Sequence, residues 1–480
     1  MNTVLVWFRR DLRVADNPAL MAALAADCVP LPVYVHDTAA SLPGAAGSWW
    51  LHHSLAAHAA QLQAMGSRLV IADGDTATAL VRLAKACNAT RIFFNRSYEP
   101  HMQQHEAAVT ARLQQQGITL HGCHSQLLYE PHVLLKADAT PYRVFTPFWK
   151  ALQKLGPVAA PLAAPEQLPA PPDNCPASLP LQQLGLLPDT RWHRKFHAYW
   201  QPGEAAAGQA LQRHLDNSLR DYPEDRDRPD LPGTSRLSPY LHFGEIGARQ
   251  IWYQVQHWAL LHNEAGLIRA ADAYLRQLGW REFAAHLLFH FPETVAAPMN
   301  ARFATFPWAT DYADQLRRWQ GGTTGIPIVD AGMRELWETG WMHNRVRMIV
   351  ASLLTKNLLI PWQEGAHWFR DTLLDADLAN NTLGWQWVAG CGADAAPYFR
   401  VFNPVRQGER FDPDGSYVRR WVPELAGLPA RYIHHPWDAP DQLRQQTAAA
   451  TGSNYPEPLV DLHSTRERAL QRYKNWKQRA

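Results

Sequence analysis

The strongest constraint on the fold is a change in hydrophobic periodicity along the 480-residue chain. Residues 4–8, 31–35, 68–72, 91–95 and 118–121 are short apolar or β-rich runs, separated by helical stretches rich in Ala, Leu and Gln. This alternation is typical of a doubly wound parallel sheet. From about residue 200, apolar residues recur at intervals of three and four, which predicts helices at 205–219, 246–265, 271–289, 312–320, 328–339, 345–357 and 362–373. The expected fold class is therefore α/β + all-α.

A proline-rich stretch separates the two patterns. Residues 157–188 contain nine prolines among Ala, Leu and Gln, a composition that breaks helices and favours an extended connector. We therefore expect a Rossmann-like α/β domain at 1–130, a proline-rich interdomain linker at 131–200 and a helical domain at 201–480. No Gly-x-Gly-x-x-Gly motif follows the first strand, so the sheet offers no dinucleotide site of the usual type.

Charge and cysteine content exclude several classes of protein. The formal net charge of +2 does not by itself predict a nucleic-acid partner, although a local basic groove remains compatible with it. The five cysteines are scattered and never spaced as Cys-x-x-Cys, which argues against a disulfide framework and against zinc or iron–sulfur sites. The first residues lack a signal-peptide layout, and no apolar run approaches the roughly 18 residues of a membrane span. We expect a soluble, cytoplasmic protein.

A loop at 233–239 has the sequence Gly-Thr-Ser-Arg-Leu-Ser-Pro and precedes a helix pattern. Its hydroxyls, its cation and the N–H groups of the helix are the parts of a phosphate cradle. Ser and Thr also cap helices, which is their commoner use. The loop alone is therefore compatible with either role.

A second segment combines an amide, an indole and a guanidinium on one helix face. Gln277, Trp280 and Arg281 share a side when the segment is helical. An aromatic ring with polar donors suits a flat base, whereas a core tryptophan beside a surface arginine is the alternative.

Two later segments also carry polar groups. Asn344, Arg347 and Met348 recur at helical spacing, and residues 374–387 contain two Asp, two Asn and two Trp. Paired acids can bind a metal or act in acid–base catalysis. No histidine accompanies this pair, so we expect no metal site.

Taken together, the segments 7–13, 233–238, 280–283, 340–345 and 375–387 occur in the order and spacing of one family. Over essentially its whole length the chain resembles the DNA photolyase/cryptochrome family, and within it the bacterial class I-type cyclobutane pyrimidine dimer photolyases. The resemblance implies an N-terminal antenna domain, a linker, and a C-terminal helical domain that binds one non-covalent FAD.

The resemblance also implies which residues contact FAD. They are Tyr222, Thr234, Ser235, Arg236, Leu237, Ser238, Arg281, Asn344, Arg347, Asp375, Asp377 and Asn381. Arg347 and Asp375 match an ion pair beside the isoalloxazine ring, and Asn381 matches the residue that faces flavin N5.

Two further sets follow from the same resemblance. Trp308, Trp362 and Trp385 match an electron-transfer chain, with aromatic packing as the alternative. The substrate pocket would be formed by Gln277, Trp280, Asn344, Arg345, Met348 and Trp387.

The implied activity is that of a deoxyribodipyrimidine photo-lyase, a carbon–carbon lyase. Blue light would drive electron transfer from excited FADH⁻ to a dimer flipped out of damaged DNA, single- or double-stranded. Dimer photolyases carry Glu where this chain has Gln277, whereas 6–4 photolyases and many animal cryptochromes carry Gln. A cryptochrome-like blue-light photosensor with weak or lost repair is therefore the alternative.

Three lesser expectations complete the interpretation. Thr382 and Leu383 depart from the Asn-Gly usual after the N5 asparagine, which leaves the redox tuning of the flavin open. Residues 95–100 resemble a segment that holds an antenna methenyltetrahydrofolate, which we favour over a deazaflavin, a flavin or an empty site. We expect a monomer.

Overall fold

The computed structural model describes residues 2–26, 28–40, 43–187, 190–395, 399–451 and 454–479. Five parallel strands form a sheet in the order β3-β2-β1-β4-β5. The strands are β1 (Thr3–Phe8), β2 (Val29–His36), β3 (Val70–Asp73), β4 (Arg91–Asn95) and β5 (Thr119–Cys123). Each apolar run predicted to be a strand overlaps one of them, so the doubly wound parallel sheet is confirmed.

Four helices follow the first four strands. They are α1 (Pro18–Ala25), α2 (Ala45–Ala64), α3 (Thr76–Ala86) and α4 (Pro100–Gln114). In the sheet, β1 pairs with both β2 and β4, so that Trp7 lies opposite Val33 on one side and Phe94 on the other. These three side chains belong to one buried cluster. The strand order reverses beside β1, and α/β sheets commonly bind ligands beyond such a point.

The remaining regular elements of the described chain are helices, joined by loops and by the proline-rich stretch. The helices are α5 (Phe145–Leu152), α6 (Glu204–Asn217), α7 (Tyr222–Asp225), α8 (Ser238–Phe243), α9 (Ala248–His262), α10 (Ala265–His290), α11 (Ala313–Gln320), α12 (Pro327–Thr339), α13 (Asn344–Ser352), α14 (Trp362–Thr372), α15 (Leu378–Ala389), α16 (Pro404–Phe411), α17 (Ser416–Trp421), α18 (Ala430–Ile433), α19 (Asp441–Thr451) and α20 (Leu462–Arg479). The helix predicted at 345–357 is instead α13 followed by a π-helical turn, Leu353–Asn357.

The chain divides into two compact units. Unit 1 comprises Met1–Arg220, Ser235–Pro292 and Leu374–Ala379, and unit 2 comprises Asp221–Thr234, Glu293–Leu373 and Asn380–Ala480. Unit 1 thus contains the sheet, the proline-rich stretch and helices α8 to α10. The finer boundaries at residues 130 and 200 stay predictions.

Buried polar groups join distant parts of the sequence within unit 1. The Asp16 carboxylate is fully buried, and its Oδ1 lies 2.6 Å from Nη2 of Arg249. The Glu245 carboxylate accepts hydrogen bonds from Trp50 Nε1 (3.0 Å) and the Gly203 backbone N–H (2.7 Å). Burial raises the pKa of Glu245 to about 8. Removing Arg249 would leave the buried Asp16 carboxylate without its close ion-pair partner, which is strongly destabilising.

The proline-rich stretch is hydrogen bonded to unit 1 along its length. The backbone N–H of Leu162 donates to Asp16, that of Leu168 to Met65 O, and that of Leu179 to Ile71 O. The prolines prevent this stretch from forming a helix, so its backbone N–H groups have no helical partners. These three hydrogen bonds pair some of them with the body of the unit. Within the described residues, no helix is long and apolar enough to cross a membrane.

Candidate functional site

Helix α10 of unit 1 carries Trp280 against an aromatic ring from helix α5. The Trp280 and Phe145 rings are stacked, with centroids 3.7 Å apart and planes 7° apart. A Cβ atom on Gly279 would lie only 2.3 Å from Trp149 Cε3, so the glycine admits a second aromatic residue of α5. One face of Trp280 is therefore backed by Phe145, and the indole is half-buried.

The other candidates on α10 have defined partners in unit 1. Arg281 Nη1 donates to Gln126 O at 2.8 Å, and Gln277 Nε2 donates to Ala273 O at 3.3 Å. The neighbouring Glu282 is buried and accepts a backbone hydrogen bond at 3.0 Å from Leu128. Burial raises the pKa of Glu282 to about 7. Arg281 and Glu282 thus tie α10 to the segment that follows β5, whereas Gln277 bonds within the helix.

The candidate phosphate loop at 233–239, which leads into α8, is held by the phenol of Tyr274. Tyr274 Oη donates to Ser235 Oγ at 2.9 Å, and the Leu237 side chain is 2% exposed. Arg236 has φ of 52°, a left-handed conformation that non-glycine residues adopt at a cost. The Arg236 and Ser238 side chains are exposed. The loop therefore presents hydroxyl and guanidinium groups on a constrained backbone.

The acidic pair Asp375 and Asp377 also belongs to unit 1. The Asp377 backbone N–H donates to Asp375 O at 2.6 Å, and the Asp375 side chain is buried. Burial disfavours the Arg10 cation, but Glu99, at 2.6 Å, and Asp377 raise the pKa of Arg10 above its ordinary value. Burial, followed by the charge of Arg10, lowers the pKa of nearby His242 to about 4. The sequence analysis singled out neither Arg10 nor His242 as members of this charged cluster.

In unit 2, a glycine and a histidine define the turn before α13. Gly340, with φ of 70°, ends α12 in the left-handed conformation that glycine adopts most easily. The side chain of His343 then caps α13 by accepting the Arg345 backbone N–H at 3.2 Å. Asn344 is exposed on the first turn of the helix.

The arginines of α13 are oriented by different partners. Arg345 Nη2 lies 2.7 Å from Asp227 Oδ2, and its guanidinium lies over the Phe411 ring at 4.5 Å. Arg347 Nε donates to Met342 O at 2.8 Å. The Sδ atom of Met348 is 3.9 Å from Arg345 Nη1, so this pair of substrate candidates is in contact.

The remaining candidates at the start of unit 2 are Tyr222 and Thr234. Tyr222 is buried, and Arg226 lies 5.5 Å above its ring. Burial raises the pKa of Tyr222 to about 12. Thr234 is half-buried at the end of the same segment.

Asn381 and Trp385, on α15, both contact helix α14. Asn381 Nδ2 donates to Ala366 O at 3.0 Å. A Cβ atom on Gly365 would lie 2.0 Å from Trp385 Cη2, and the Trp385 side chain is 2% exposed. This hydrogen bond orients the amide through one of its two N–H groups, and the amide oxygen of Asn381 can accept a hydrogen bond from another molecule.

The three candidate electron carriers are linked through the backbone of unit 2. Trp362 begins α14 three residues before Gly365, so both lie on the same side of that helix. The backbone N–H of Ala309 donates to Leu359 O at 2.8 Å, which places Trp308 beside the segment leading into α14. Trp385 and Trp362 are buried, whereas Trp308 is half-buried. Trp308 is thus the most exposed member of the series.

Trp387 is positioned by the loop that follows α15. Its Nε1 donates to Asp394 O at 3.1 Å, and the side chain is half-buried. The preceding Gln386 is buried and donates to Thr294 O at 2.7 Å. Across the described residues, no group of three or more His, Cys, Asp or Glu side chains could hold a metal ion.

Comparison with known proteins identifies relatives over nearly the whole chain. Residues 4–172 match the family profile described as DNA photolyase, and residues 274–475 match the FAD binding domain of DNA photolyase. The chain is 46% identical over 473 residues to a deoxyribodipyrimidine photo-lyase of Agrobacterium fabrum, covering 98% of this chain and 97% of the relative. It is 38% identical to Cryptochrome-2 of Arabidopsis thaliana, covering 96% of this chain and 77% of the relative.

The solved structures include a bacterial class III photolyase from Agrobacterium tumefaciens. It superposes with a TM-score of 0.94 at 44% identity, covering 100% of this chain and 98% of that structure. The motifs of the chain resemble those of class I-type enzymes, whereas this solved relative is named a class III photolyase. The fold, the two profiles and the full-length identity lead to one conclusion: the chain belongs to the DNA photolyase/cryptochrome family.

Proposed function

We propose that this protein is a deoxyribodipyrimidine photo-lyase that splits cyclobutane pyrimidine dimers in DNA by light-driven electron transfer. The observation that carries the proposal is the tryptophan series of unit 2. It runs from buried Trp385, against the helix of Trp362, to half-buried Trp308. A redox series of this kind suits a protein that must reduce a light-absorbing cofactor.

The donor groups of each unit fit FAD. Unit 1 offers the hydroxyls of Ser235 and Ser238 and the guanidinium of Arg281, which suit a pyrophosphate. Unit 2 offers Arg347 and the amide of Asn381, whose oxygen would accept a hydrogen bond from N5–H of a reduced flavin. A neutral acceptor at this position favours the fully reduced, anionic form. When bound, FAD would supply a blue-light-excited electron donor.

The protein's own residues would bind and orient the lesion. Trp280, backed by Phe145, gives a rigid flat surface for one pyrimidine, and stacking on such rings is worth about 1–3 kcal/mol per base. Trp387, held by Asp394 O, would give a second aromatic contact. Arg345, neutralised in part by Asp227, would meet a phosphate.

Gln277 would assist by donating an amide hydrogen bond to a dimer carbonyl as negative charge develops there. Losing a hydrogen bond of this kind altogether typically costs about 3–4 kcal/mol of barrier. An amide can donate a hydrogen bond but cannot deliver a proton. We therefore expect slower repair than with Glu, rather than none.

A blue-light photosensor is the second candidate function. It is favoured by Gln277, a residue found in many animal cryptochromes, and by the similarity to a plant cryptochrome. In that case FAD would still bind and be photoreduced, but the dimer would not be split.

A further part of the proposal concerns the identity of the antenna chromophore. We infer a methenyltetrahydrofolate in unit 1, near residues 95–100. There the Tyr98 hydroxyl lies 2.6 Å from His124 Nδ1 and 3.0 Å from Glu130 Oε1. Release of the chromophore by denaturation and its identification by mass would test this. Size-exclusion chromatography and cell fractionation would test the expected monomer and cytoplasmic location.

The decisive experiment is repair of a defined thymine dimer in single-stranded DNA by the reduced, FAD-loaded protein. Light-dependent loss of the dimer, absent in a dark control, supports the photo-lyase. Bound, photoreducible FAD without any repair would reject it in favour of a photosensor or an enzyme for another lesion.

A further inference from the structure

A separate cleft of about 1040 Å³ lies within unit 2. We call it the arginine cleft. Its lining includes the cationic or aromatic side chains of Arg400, Arg406, His435, Trp437, His463 and Arg466, together with three carboxylates. None of these residues is among the flavin, electron-transfer or dimer candidates. The volume is at the upper end of the range usual for small-molecule sites.

The three arginines of the arginine cleft are not ion-paired with the carboxylates that share its lining. Arg400, Arg406 and Arg466 are exposed, and no described residue forms an ion pair with any of their guanidinium groups. Such guanidinium groups bind phosphate readily because their planar N–H donors match its oxygens. The cleft is therefore suited to an anionic ligand.

The carboxylates of the same cleft already have partners. Asp438 Oδ2 lies 3.2 Å from His435 Nδ1, and Glu409 Oε1 lies 3.6 Å from His435 Nε2. Asp461 Oδ1 accepts the backbone N–H of Ser464 at 2.7 Å. These acids thus lie against His435 or accept a backbone N–H, and none of them forms an ion pair with the three arginines.

The cleft also contains an indole that packs on no other ring. Trp437 is half-buried, and no described aromatic side chain contacts it. It lies in the short helical turn Pro436–Asp438, where Pro436 restricts the backbone. An indole in a cleft that also carries cationic side chains is the combination that nucleotide-binding proteins use to stack a base near its phosphate.

We propose that the arginine cleft binds a nucleotide, with its base stacked on Trp437 and its phosphate held by Arg406 and Arg466. A bare anion would leave the indole unused, and an apolar ligand would leave three cations desolvated without a partner. The nucleotide is either a free nucleoside polyphosphate or one unit of a nucleic-acid strand. This site is additional to the pocket for the dimer.

Two probes distinguish these sources, both used with the full-length, FAD-loaded protein. Fluorescence anisotropy follows an end-labelled, undamaged dT12 oligonucleotide, and equilibrium dialysis follows radiolabelled ATP. The test variants are Trp437→Ala and the double variant Arg406→Glu/Arg466→Glu. The matched control is Lys474→Glu/Lys477→Glu, which makes the same change of charge at exposed positions of α20 outside the cleft.

We expect Trp437→Ala to weaken binding of one probe about fivefold or more, the lower end of a base-stacking effect. The arginine variant should weaken it about tenfold or more and reduce the salt dependence by about 0.7 in log–log slope per lost phosphate contact. The lysine control should retain most of the affinity. Flavin absorbance and melting temperature establish that each variant is folded. If the Glu variant is not folded, Arg406→Gln/Arg466→Gln takes its place.

If the cleft variants lose affinity for dT12, the cleft binds a nucleic-acid strand. If they lose affinity for ATP alone, it binds a free nucleotide. The proposal is overturned if neither probe binds the wild-type protein, or if the cleft variants and the lysine control bind both probes alike. Light-dependent dimer repair, measured in parallel, is a separate readout, because the cleft residues are not among those proposed to touch the dimer.

Discussion

A Cβ atom on Gly365 would lie 2.0 Å from Cη2 of Trp385, so the indole packs directly against the backbone of helix α14. Trp362 begins the same helix. The contact places Trp385, the first of the three candidate electron carriers, against the helix that carries Trp362, the second. It also leaves no room at position 365 for any residue except glycine.

Replacing Gly365 by Ala should therefore disturb both stability and electron transfer. Overpacking a buried contact typically costs 1–3 kcal/mol, and we expect a loss of about that size in the free energy of unfolding. Displacement of the Trp385 ring should also slow photoreduction of the bound flavin. Denaturant unfolding and flavin bleaching under blue light would measure the two effects.

The matched control is Gly208→Ala, at an exposed position of helix α6 with no atom within 4 Å of the added Cβ. There alanine should stabilise the helix by up to about 1 kcal/mol and leave photoreduction unchanged. Equal effects of the two substitutions would contradict the packing argument.

Trp385→Phe should block photoreduction while FAD stays bound, because phenylalanine fills most of the space but is far harder to oxidise. Trp308→Phe should have the same effect at the exposed end of the series. Trp337→Phe, at a side chain that is 44% exposed and outside the series, is the control. Photoreduction kinetics of Trp385→Phe that match those of this control would remove Trp385 from the relay.

Gln277→Glu should raise the rate of dimer repair, since a protonated carboxyl can deliver a proton as well as a hydrogen bond. The gain should be smaller than the roughly 10²-fold effect of adding a missing donor, because the amide already donates. Gln277→Leu should lower repair below the wild-type rate. The repair yield per absorbed photon, measured for each variant, tests these two expectations. A lower yield for Gln277→Glu would mean that the glutamine at this position does not limit repair.

Glu282 predicts a specific pH dependence of stability. Burial raises its pKa from 4.5 to about 7, so between these values the folded protein holds a proton that the unfolded chain releases. The free energy of unfolding should therefore fall as pH rises from about 4.5 to 7, by at most about 3 kcal/mol from this group.

Glu282→Gln should remove that contribution while still accepting hydrogen bonds from the backbone of residues 128 and 129. The difference in stability between variant and wild type should then shift in favour of the variant as pH rises. Glu166→Gln, at an exposed carboxylate of the same unit, controls for the loss of one charge. Parallel pH profiles for Glu282→Gln and wild type would reject the assignment.

Much of the fold could be predicted from the sequence because its signals are local. Apolar runs marked all five strands, and the recurrence of apolar residues at three and four marked most long helices. The π-helical turn after Ser352 could not be predicted, because the apolar pattern continues through it. The candidate roles of residues around the site, such as those on the first turn of α13, were predicted from family motifs. The spacing of the residues alone did not predict them.

The supporting contacts could not be predicted because they join residues far apart in the chain. Nothing near Trp280 in the sequence indicates that Phe145 stacks on it, 135 positions away. Likewise, Gly365 reads as an unremarkable helix glycine until Trp385 is placed against it. These contacts depend on tertiary packing, which periodicity does not report.

The buried pair Asp16–Arg249 has a consequence for synthesis of the protein on the ribosome. The partners are 233 residues apart, and Glu245 is likewise 195 residues from Trp50. An emerging N-terminal segment can pair its strands early, but until α9 has left the exit tunnel Asp16 has only the longer, 3.9 Å ion pair with the nearby Arg13. The high sequence separation of these contacts makes completion of unit 1 a late, slow event. A truncated chain that ends before α9 should accordingly be retained by chaperones rather than accumulate as a free domain.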